Sequence, residues 1–101
     1  MPAETLNIIG LAKIPSQVFK INLAAQQCEI KIYQKGSYIY CDLTLNEVPQ
    51  WVGVKCKTGV LIKPVAYIPF KGDLRFKDLR GDEDPVFTGF GDRWVLEYVA
   101  E

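Results

Sequence analysis

Hydrophobic and polar residues alternate with a period of two along most of this 101-residue chain. The segments 17–23, 27–34, 38–45 and 50–56 each place apolar side chains at every second position. A period of two is typical of a β-strand, because successive side chains point to opposite faces of the sheet. No stretch sustains the three-to-four-residue spacing of an amphipathic helix over several turns. The pattern therefore predicts an all-β protein.

Turn signals separate these segments at roughly eight to twelve residues, the spacing typical of a small sandwich or barrel. The predicted turns are residues 24–26, 35–37, 46–49 and 57–59, and further strands are predicted over 60–63 and 65–70, which Pro64 separates. Pro49 argues against a continuous central strand at its position. We expect a small antiparallel β-barrel or sandwich of about seven strands, and the pattern does not choose between the two.

The alternation also assigns side chains to faces. The predicted inward sets are Phe19, Ile21 and Leu23; Cys28, Ile30 and Ile32; Ile39, Cys41, Leu43 and Leu45; and Val52, Val54 and Cys56. By the same rule Trp51 falls on the face opposite Val52. Tyr33, Tyr38 and Tyr40 fall on the outer face of their hairpin.

The stretch 72–98 joins two alternating segments through an acidic turn and a glycine-containing corner. The apolar positions of the two segments are Leu74, Phe76, Trp94, Leu96 and Tyr98. Arg93 begins the closing segment, where its guanidinium is expected to fork onto the carboxylate of Asp73, Asp78 or Asp84. Such a pair would tie the acidic turn to the last strand.

The first residues of the chain stand apart from this pattern. Residues 3–12 are consistent with either an extended arm or a first strand. We expect an N-terminal extension or arm over residues 1–13 and one all-β domain over residues 14–101, since a chain of this length builds a single modest core.

The net charge, the N-terminal sequence and the cysteine spacing argue against several classes of protein. Twelve basic and twelve acidic residues cancel to a net charge of zero, whereas nucleic-acid binders usually carry a basic excess. The N-terminus lacks a basic region before an apolar run, and no apolar run is long enough to span a membrane. The cysteines Cys28, Cys41 and Cys56 are widely spaced, which favours reduced thiols and synthesis in the cytoplasm.

Candidate catalytic and metal-binding chemistry is sparse. The chain contains no histidine, the commonest general base and transition-metal ligand. Asp78, Asp82, Glu83 and Asp84 gather oxygen atoms in one turn, but without the alternating acidic pattern of a calcium-binding hand. We therefore expect no catalytic residue, no metal and no cofactor. Asp82 and Glu83 are candidates for contact with a basic patch of a partner protein.

Tyr33, Tyr38 and Tyr40 form the second candidate contact surface, with Lys31 and Lys35 nearby in the sequence. Aromatic and basic residues on one barrel face stack nucleic-acid bases in some folds. More often such tyrosines stabilise cross-strand pairs or a protein interface. The neutral net charge favours contact with protein.

The C-terminal pattern resembles the baseplate plug proteins of contractile-tailed bacteriophages. The residues that carry the resemblance are Gly72, Asp73, Leu74, Phe76, Asp78, Gly81, Asp84, Pro85, Gly89, Gly91, Arg93, Trp94, Leu96 and Tyr98. A weaker likeness lies in Gln17-Val18-Phe19, in Gln27-Cys28-Glu29-Ile30 and in Asp42-Leu43. Together the two parts extend from about residue 14 to the end of the chain.

The resemblance implies a structural virion protein without enzymatic activity. Such a protein would fold in the bacterial host cytoplasm and assemble with the hub, tube-initiating and wedge proteins of the baseplate. It would plug or shape the central channel before contraction and genome delivery, as a homo-oligomer around the tail axis. Two alternatives remain open: a small β-barrel that binds single-stranded nucleic acid, and a small module that binds a host protein.

Overall fold

The computed structural model describes residues 6–23, 25–64 and 68–99. The strands within these ranges are β1 (Leu6–Ile9), β2 (Ser16–Leu23), β3 (Gln26–Lys35), β4 (Tyr38–Leu45), β5 (Val48–Cys56), β6 (Asp73–Asp78) and β7 (Trp94–Val99), and one 3-10 turn covers Phe87–Gly89. They form an antiparallel four-stranded sheet in the order β2-β3-β4-β5 and an antiparallel three-stranded sheet in the order β1-β7-β6. The all-β prediction is confirmed. The sheets do not close into one barrel, and the arrangement fits a sandwich.

The four-stranded sheet is a meander of adjacent hairpins, and its inner face follows the alternation. The inner side chains of its two central strands, all fully or nearly fully buried, are Cys28, Ile30, Ile32, Ile39, Cys41 and Leu43. Together with Leu74, Phe76, Leu96 and Tyr98 of the other sheet they form one hydrophobic core. The core therefore lies between the two sheets.

The turn before β5 is shorter than the predicted 46–49. Asn46 and Glu47 alone make it, with φ angles of 50° and 69°, as a two-residue hairpin turn with both central residues left-handed requires. Val48 and Pro49 already pair with Leu45 and Thr44. Proline is tolerated there because β5 is an edge strand, whose outward backbone groups need no partner in the sheet.

The predicted faces of β5 are wrong in part, because a β-bulge interrupts its alternation. Cys41 pairs with Val54 but Leu43 pairs with Trp51, so Val52 and Gly53 together face one residue of β4. Gly53 adopts the left-handed φ of 69° that glycine accepts without strain. Trp51 consequently turns inward and is buried, whereas Val52 is 70% exposed.

The segment after β5 is not the strand predicted over 60–63. It touches β6 through two isolated bridges, Thr58 with Phe76 and Leu61 with Arg75. Asp73 holds it in place, because its Oδ1 accepts hydrogen bonds from the backbone N–H groups of Ile62 and Lys63 at 3.1 and 2.8 Å. Of the strand predicted over 65–70, residues 65–67 lie outside the described part, and 68–70 form bends rather than a strand.

The N-terminal strand β1 belongs to the three-stranded sheet, where Leu6 pairs with Val99 and Ile9 with Leu96. After β1, the Gln17 side-chain amide exchanges two hydrogen bonds with the Ala12 backbone. Lys13 forms an exposed ion pair with Asp92, which lies just before β7. The described ranges contain no helix that is both long and apolar enough to cross a membrane.

Candidate functional site

The corner between β6 and β7, residues 79–93, is organised by the carboxylate of Asp78. Arg93 donates to Asp78 through Nε to Oδ1 at 2.8 Å and through Nη2 to Oδ2 at 2.9 Å. The backbone N–H groups of Arg80 and Glu83 donate to the same two oxygens, each at 2.9 Å. Of the three carboxylates that the sequence offers to Arg93, the structure selects Asp78, because the pairing of β6 with β7 sets Asp78 opposite Trp94.

This arrangement fixes the charge state of both partners. The Asp78 side chain is fully buried, and the Arg93 side chain is 27% exposed. The Arg93 hydrogen bonds lower the pKa of Asp78 far below its ordinary value, against the opposing effect of burial and with help from the N–H groups of Arg80 and Glu83. The same hydrogen bonds raise the pKa of Arg93. Asp78 is therefore an anchored carboxylate and not a proton donor near neutral pH.

Trp94 completes the corner from the β7 side. Its Nε1 donates to the carbonyl oxygen of Glu83 at 3.0 Å, and the Thr58 hydroxyl donates to the same oxygen. The Arg93 guanidinium lies 4.6 Å from the centre of the Trp94 ring. Gly89 packs so closely on this ring that a Cβ there would fall 2.3 Å from a ring carbon. Any side chain at position 89 would displace the tryptophan.

A second group of motif residues, Gly72, Asp73 and Tyr98, lies at the opposite end of β6 and β7, about 17 Å away at roughly 3.4 Å per residue. There the Tyr98 hydroxyl donates to the Lys71 carbonyl at 2.6 Å. A Cβ on Gly72 would lie 2.6 Å from that hydroxyl oxygen, and the φ of 92° at Gly72 also favours glycine. Asp73 binds the segment after β5 at the same end. The motif residues therefore form two separate clusters that hold the ends of one hairpin.

The remaining motif residues contribute packing and turns. Leu74, Phe76, Leu96 and Pro85 are buried, and Phe76 stacks on Phe90 with ring centres 5.7 Å apart. Gly91 has a φ of 86°, and Asp84 is exposed. A Cβ on Gly81 would make ordinary contacts with Arg93 and Asp78, at 3.5 and 3.6 Å. The motif residues whose contacts are described above thus stabilise the fold.

The acidic side chains of the corner divide into a buried and an exposed group. Asp78 is buried, whereas Asp82, Glu83 and Asp84 are exposed. Glu83 approaches Arg93 Nη2 at 3.6 Å while its side chain remains 75% exposed. Across residues 6–23, 25–64 and 68–99, no group of three or more acidic, cysteine or histidine side chains is placed to hold a metal ion. The exposed carboxylates present a small anionic surface on a rigid backbone.

The tyrosines lie on the outer face of the four-stranded sheet. Tyr33 and Tyr40 pair across β3 and β4 and stack, with ring centres 5.9 Å apart. The Tyr33 hydroxyl donates to Asp42 at 3.2 Å, and burial followed by the Asp42 charge raises its pKa. The ammonium group of Lys55 lies 3.5 Å from the centre of the Tyr38 ring. These rings are largely engaged with neighbours on their own sheet.

The three cysteines are buried free thiols. A hydrogen bond with the Cys41 thiol and burial raise the pKa of Cys56 far above its ordinary value. Burial likewise raises the pKa of Cys28. A thiol reacts as a nucleophile through its thiolate, so Cys28 and Cys56 are unsuited to that chemistry.

An ion pair on the outer face of the three-stranded sheet was not predicted from the sequence. Arg75 donates through Nε to Glu97 Oε1 at 3.2 Å, and its Nη2 lies 3.1 Å from the same oxygen. Glu97 is only 3% exposed although it points away from the core. Antiparallel pairing of the two alternating segments of 72–98 would have set these charges opposite each other, which is the signal that was available.

Comparison with known proteins identifies the family. The family model described as "Cyanophage baseplate Pam3 plug gp18" matches residues 6–101, which include the seven strands that the structure describes and both clusters of the motif. No curated protein matches the chain significantly. The match covers nearly the whole chain, and the predicted resemblance to phage baseplate plugs is confirmed. This chain belongs to the phage baseplate plug family.

Proposed function

We propose that this protein is a non-enzymatic part of a contractile-tail baseplate that plugs or shapes the central channel before contraction and genome delivery. The family match over residues 6–101 is the observation that carries the proposal. The geometry supports it, because the polar residues of the motif bind one another and the backbone, as in the Asp78–Arg93 pair. They serve the fold and leave rigid surfaces for contact.

The proposed partners are the hub, tube-initiating and wedge proteins and further copies of the chain around the tail axis. Asp82 and Glu83 are proposed to contact a basic patch on a neighbour. Both side chains are exposed, and the Glu83 backbone is fixed on both sides, by Asp78 through its N–H and by Trp94 through its carbonyl. A rigid backbone lowers the entropic cost of binding.

Tyr33, Tyr38 and Tyr40 are proposed as a second contact surface. Tyr38 is the most accessible of the three, with 39% exposure. Aromatic side chains are enriched at protein interfaces because they bury a large area at little entropic cost.

Mass spectrometry of purified virions and of isolated tails tests the proposal. The chain should be present in both. Phage propagated without the chain should assemble defective tails or lose DNA. Its absence from purified tails would overturn the proposal.

The acidic contact has its own test. Asp82→Lys with Glu83→Lys should leave the chain folded but reduce its incorporation into tails, whereas Glu47→Lys, at an exposed hairpin turn of the other sheet, should not. Normal incorporation of the double variant would exclude this contact.

The proposed N-terminal arm requires a deletion shorter than residues 1–13, because Leu6–Ile9 forms a strand of the sheet. Deleting residues 1–5 should leave the melting temperature unchanged and reduce incorporation. Unchanged incorporation would remove the arm from the proposal.

A further inference from the structure

Four residues form a straight row across the outer face of the three-stranded sheet. Leu61 pairs with Arg75, Arg75 with Glu97, and Glu97 with Ile8. Paired residues on adjacent strands point to the same face, so the four side chains stand side by side over about 14 Å, at roughly 4.8 Å per strand. We call this set, in the order Leu61, Arg75, Glu97 and Ile8, the cross-sheet row.

The ends of the cross-sheet row are apolar and accessible. Ile8 is 58% exposed and Leu61 is 51% exposed. Val95 and Val99 of β7 are half-buried on the same face as Glu97, and Lys77, which pairs with Val95, is exposed there. Aliphatic side chains grouped on one face favour contact with another protein surface over contact with water.

The centre of the row is an ion pair whose bonding capacity is only partly used. Both contacts from Arg75 go to Oε1 of Glu97. Within the described ranges no residue donates a hydrogen bond to Oε2, and Arg75 Nη1 has no acceptor. A carboxylate accepts about four hydrogen bonds and a guanidinium donates five. The pair therefore has donors and acceptors left for a second ion pair placed above it.

The order of the row is complementary to itself when reversed. It reads apolar, positive, negative, apolar. A two-fold axis lying in the interface, parallel to the strands and passing between β6 and β7, places Arg75 over Glu97 of a second copy. The same axis places Leu61 over Ile8 of that copy. Each of the four residues of the cross-sheet row then faces a residue of matching chemistry in the second copy, as an isologous interface requires.

We infer that the outer face of the three-stranded sheet binds the same face of a second copy of this chain, with the cross-sheet row at the centre of the contact. Glu97 is already almost fully buried, so stacking the two ion pairs mainly covers the Arg75 side chains, which are 33% exposed, and offers their unused donors an acceptor. The zero net charge of the chain adds no long-range repulsion between copies. A two-fold contact closes at two copies, so this pairing is distinct from the arrangement of copies proposed around the tail axis.

The mass of the purified protein in solution tests this pairing. Light scattering or native mass spectrometry over a dilution series should show a species of twice the 11.4 kDa chain mass. Leu61→Lys and Ile8→Glu should each raise the dimer dissociation constant by about tenfold or more, equivalent to roughly 1.4 kcal/mol per factor of ten. Circular dichroism checks that each variant is folded. We expect both variants to fold, because both side chains are exposed.

Mixing the two variants is the decisive step. In the two-fold pair, Lys at position 61 of one chain meets Glu at position 8 of the other, so the mixture should form a heterodimer that neither variant forms alone. Val52→Lys is the matched control, since Val52 is even more exposed but lies on β5 of the other sheet, and it should leave the dimer intact.

A monomeric wild-type protein, a mixture without heterodimer, or equal dissociation by Val52→Lys would each overturn the inference. None of these results bears on whether the chain is present in virions, which decides the proposed function. The two proposals therefore fail separately.

Discussion

On the outer face of the four-stranded sheet, charged and aromatic side chains contact one another beside the exposed Val18 and Val52. The outer face of the three-stranded sheet instead carries one ion pair between aliphatic residues, with the exposed Lys77 nearby. On the first, Lys31 lies over Tyr33 and Tyr33 binds Asp42. On the second, Ile8 and Leu61 flank Arg75 and Glu97. Both sheets bury their inner faces in one core. The two sheets therefore share one hydrophobic core. Their outer faces differ in the side chains that they carry and in how those side chains are bonded.

The largest effect is expected where the sheets are alike. Leu43 of the four-stranded sheet and Leu74 of the three-stranded sheet are both fully buried. Replacing either with alanine should lower the free energy of unfolding by about 2–5 kcal/mol, because the cavity left behind adds to the lost burial. Urea denaturation followed by tryptophan fluorescence measures both. A loss confined to one variant would mean that the sheets do not share a cooperative core.

The next largest effect on stability is expected at Asp78, which we compare with Asp42. Each of these aspartates accepts hydrogen bonds from an irregular segment of the backbone. Asp78 binds Arg93 and two N–H groups of the corner, whereas Asp42 accepts the Gly53 N–H in the bulge and the Tyr33 hydroxyl without a cation. The folded-state pKa of Asp78 is lowered, mainly by Arg93. Its contribution to stability is therefore complete above the unfolded pKa of about 3.9 and is lost as the pH falls below it.

The melting temperature measured between about pH 7 and pH 2 tests this difference. Asp78→Asn should melt lower than wild type at neutral pH and should lose less stability than wild type on acidification. Asp42→Asn should keep the acid dependence that Asp78 causes. Parallel pH profiles for wild type and Asp78→Asn would contradict the assignment.

A smaller effect separates the two outer faces directly. Glu97→Gln removes the charge from a buried carboxylate that faces Arg75, and we expect a loss of about 1–3 kcal/mol in unfolding free energy. Glu29→Gln changes an exposed residue that pairs with Lys20 and Thr44 across strands, and its effect should stay within about 0.5 kcal/mol. Equal effects in urea denaturation would show that the burial of Glu97 has no energetic consequence.

The smallest effect concerns the tyrosines. Lys55 lies over the Tyr38 ring at the exposed edge of the four-stranded sheet, and Lys55→Met keeps most of the aliphatic stem while it removes the charge. The loss should be about 0.5–1 kcal/mol, typical of an exposed cation–π contact. In the variant Tyr38→Leu the same lysine substitution should have no effect. A double-mutant cycle measures the difference.

The period-two pattern was sufficient to predict β2, β3 and β4, because nothing in those strands interrupts the alternation. It failed in β5, where the bulge at Gly53 reverses the faces and turns Trp51 inward. A glycine inside a strand permits such a bulge but does not require it. The apolar stretch 60–63 suggests a strand, yet its segment joins β6 through isolated bridges and two backbone hydrogen bonds. Asp73 adds a side-chain contact that periodicity does not encode.

The sequence predicted which residues form the candidate site better than it predicted their contacts. The sequence identified Arg93 as a clamp with three possible partners, and only the register of β6 against β7 selects Asp78. The sequence places Gly89 in the glycine-containing corner, and only the structure shows that its role is to admit the Trp94 ring. The cross-sheet row was not predicted at all, because it joins strands that are distant in sequence.

The pairing of β1 with β7 also bears on the order in which the protein is made. The hairpins of β2 to β5 need only neighbouring residues and can close while the ribosome is still translating the rest of the chain. Strand β1 is made first, yet its pairing partner β7 is made after every other described strand, so β1 must wait unpaired in the nascent chain. We expect ribosome-bound chains stalled before β7 to have a protected four-stranded meander and a protease-sensitive N-terminus, with protection of β1 appearing only when β7 has left the exit tunnel.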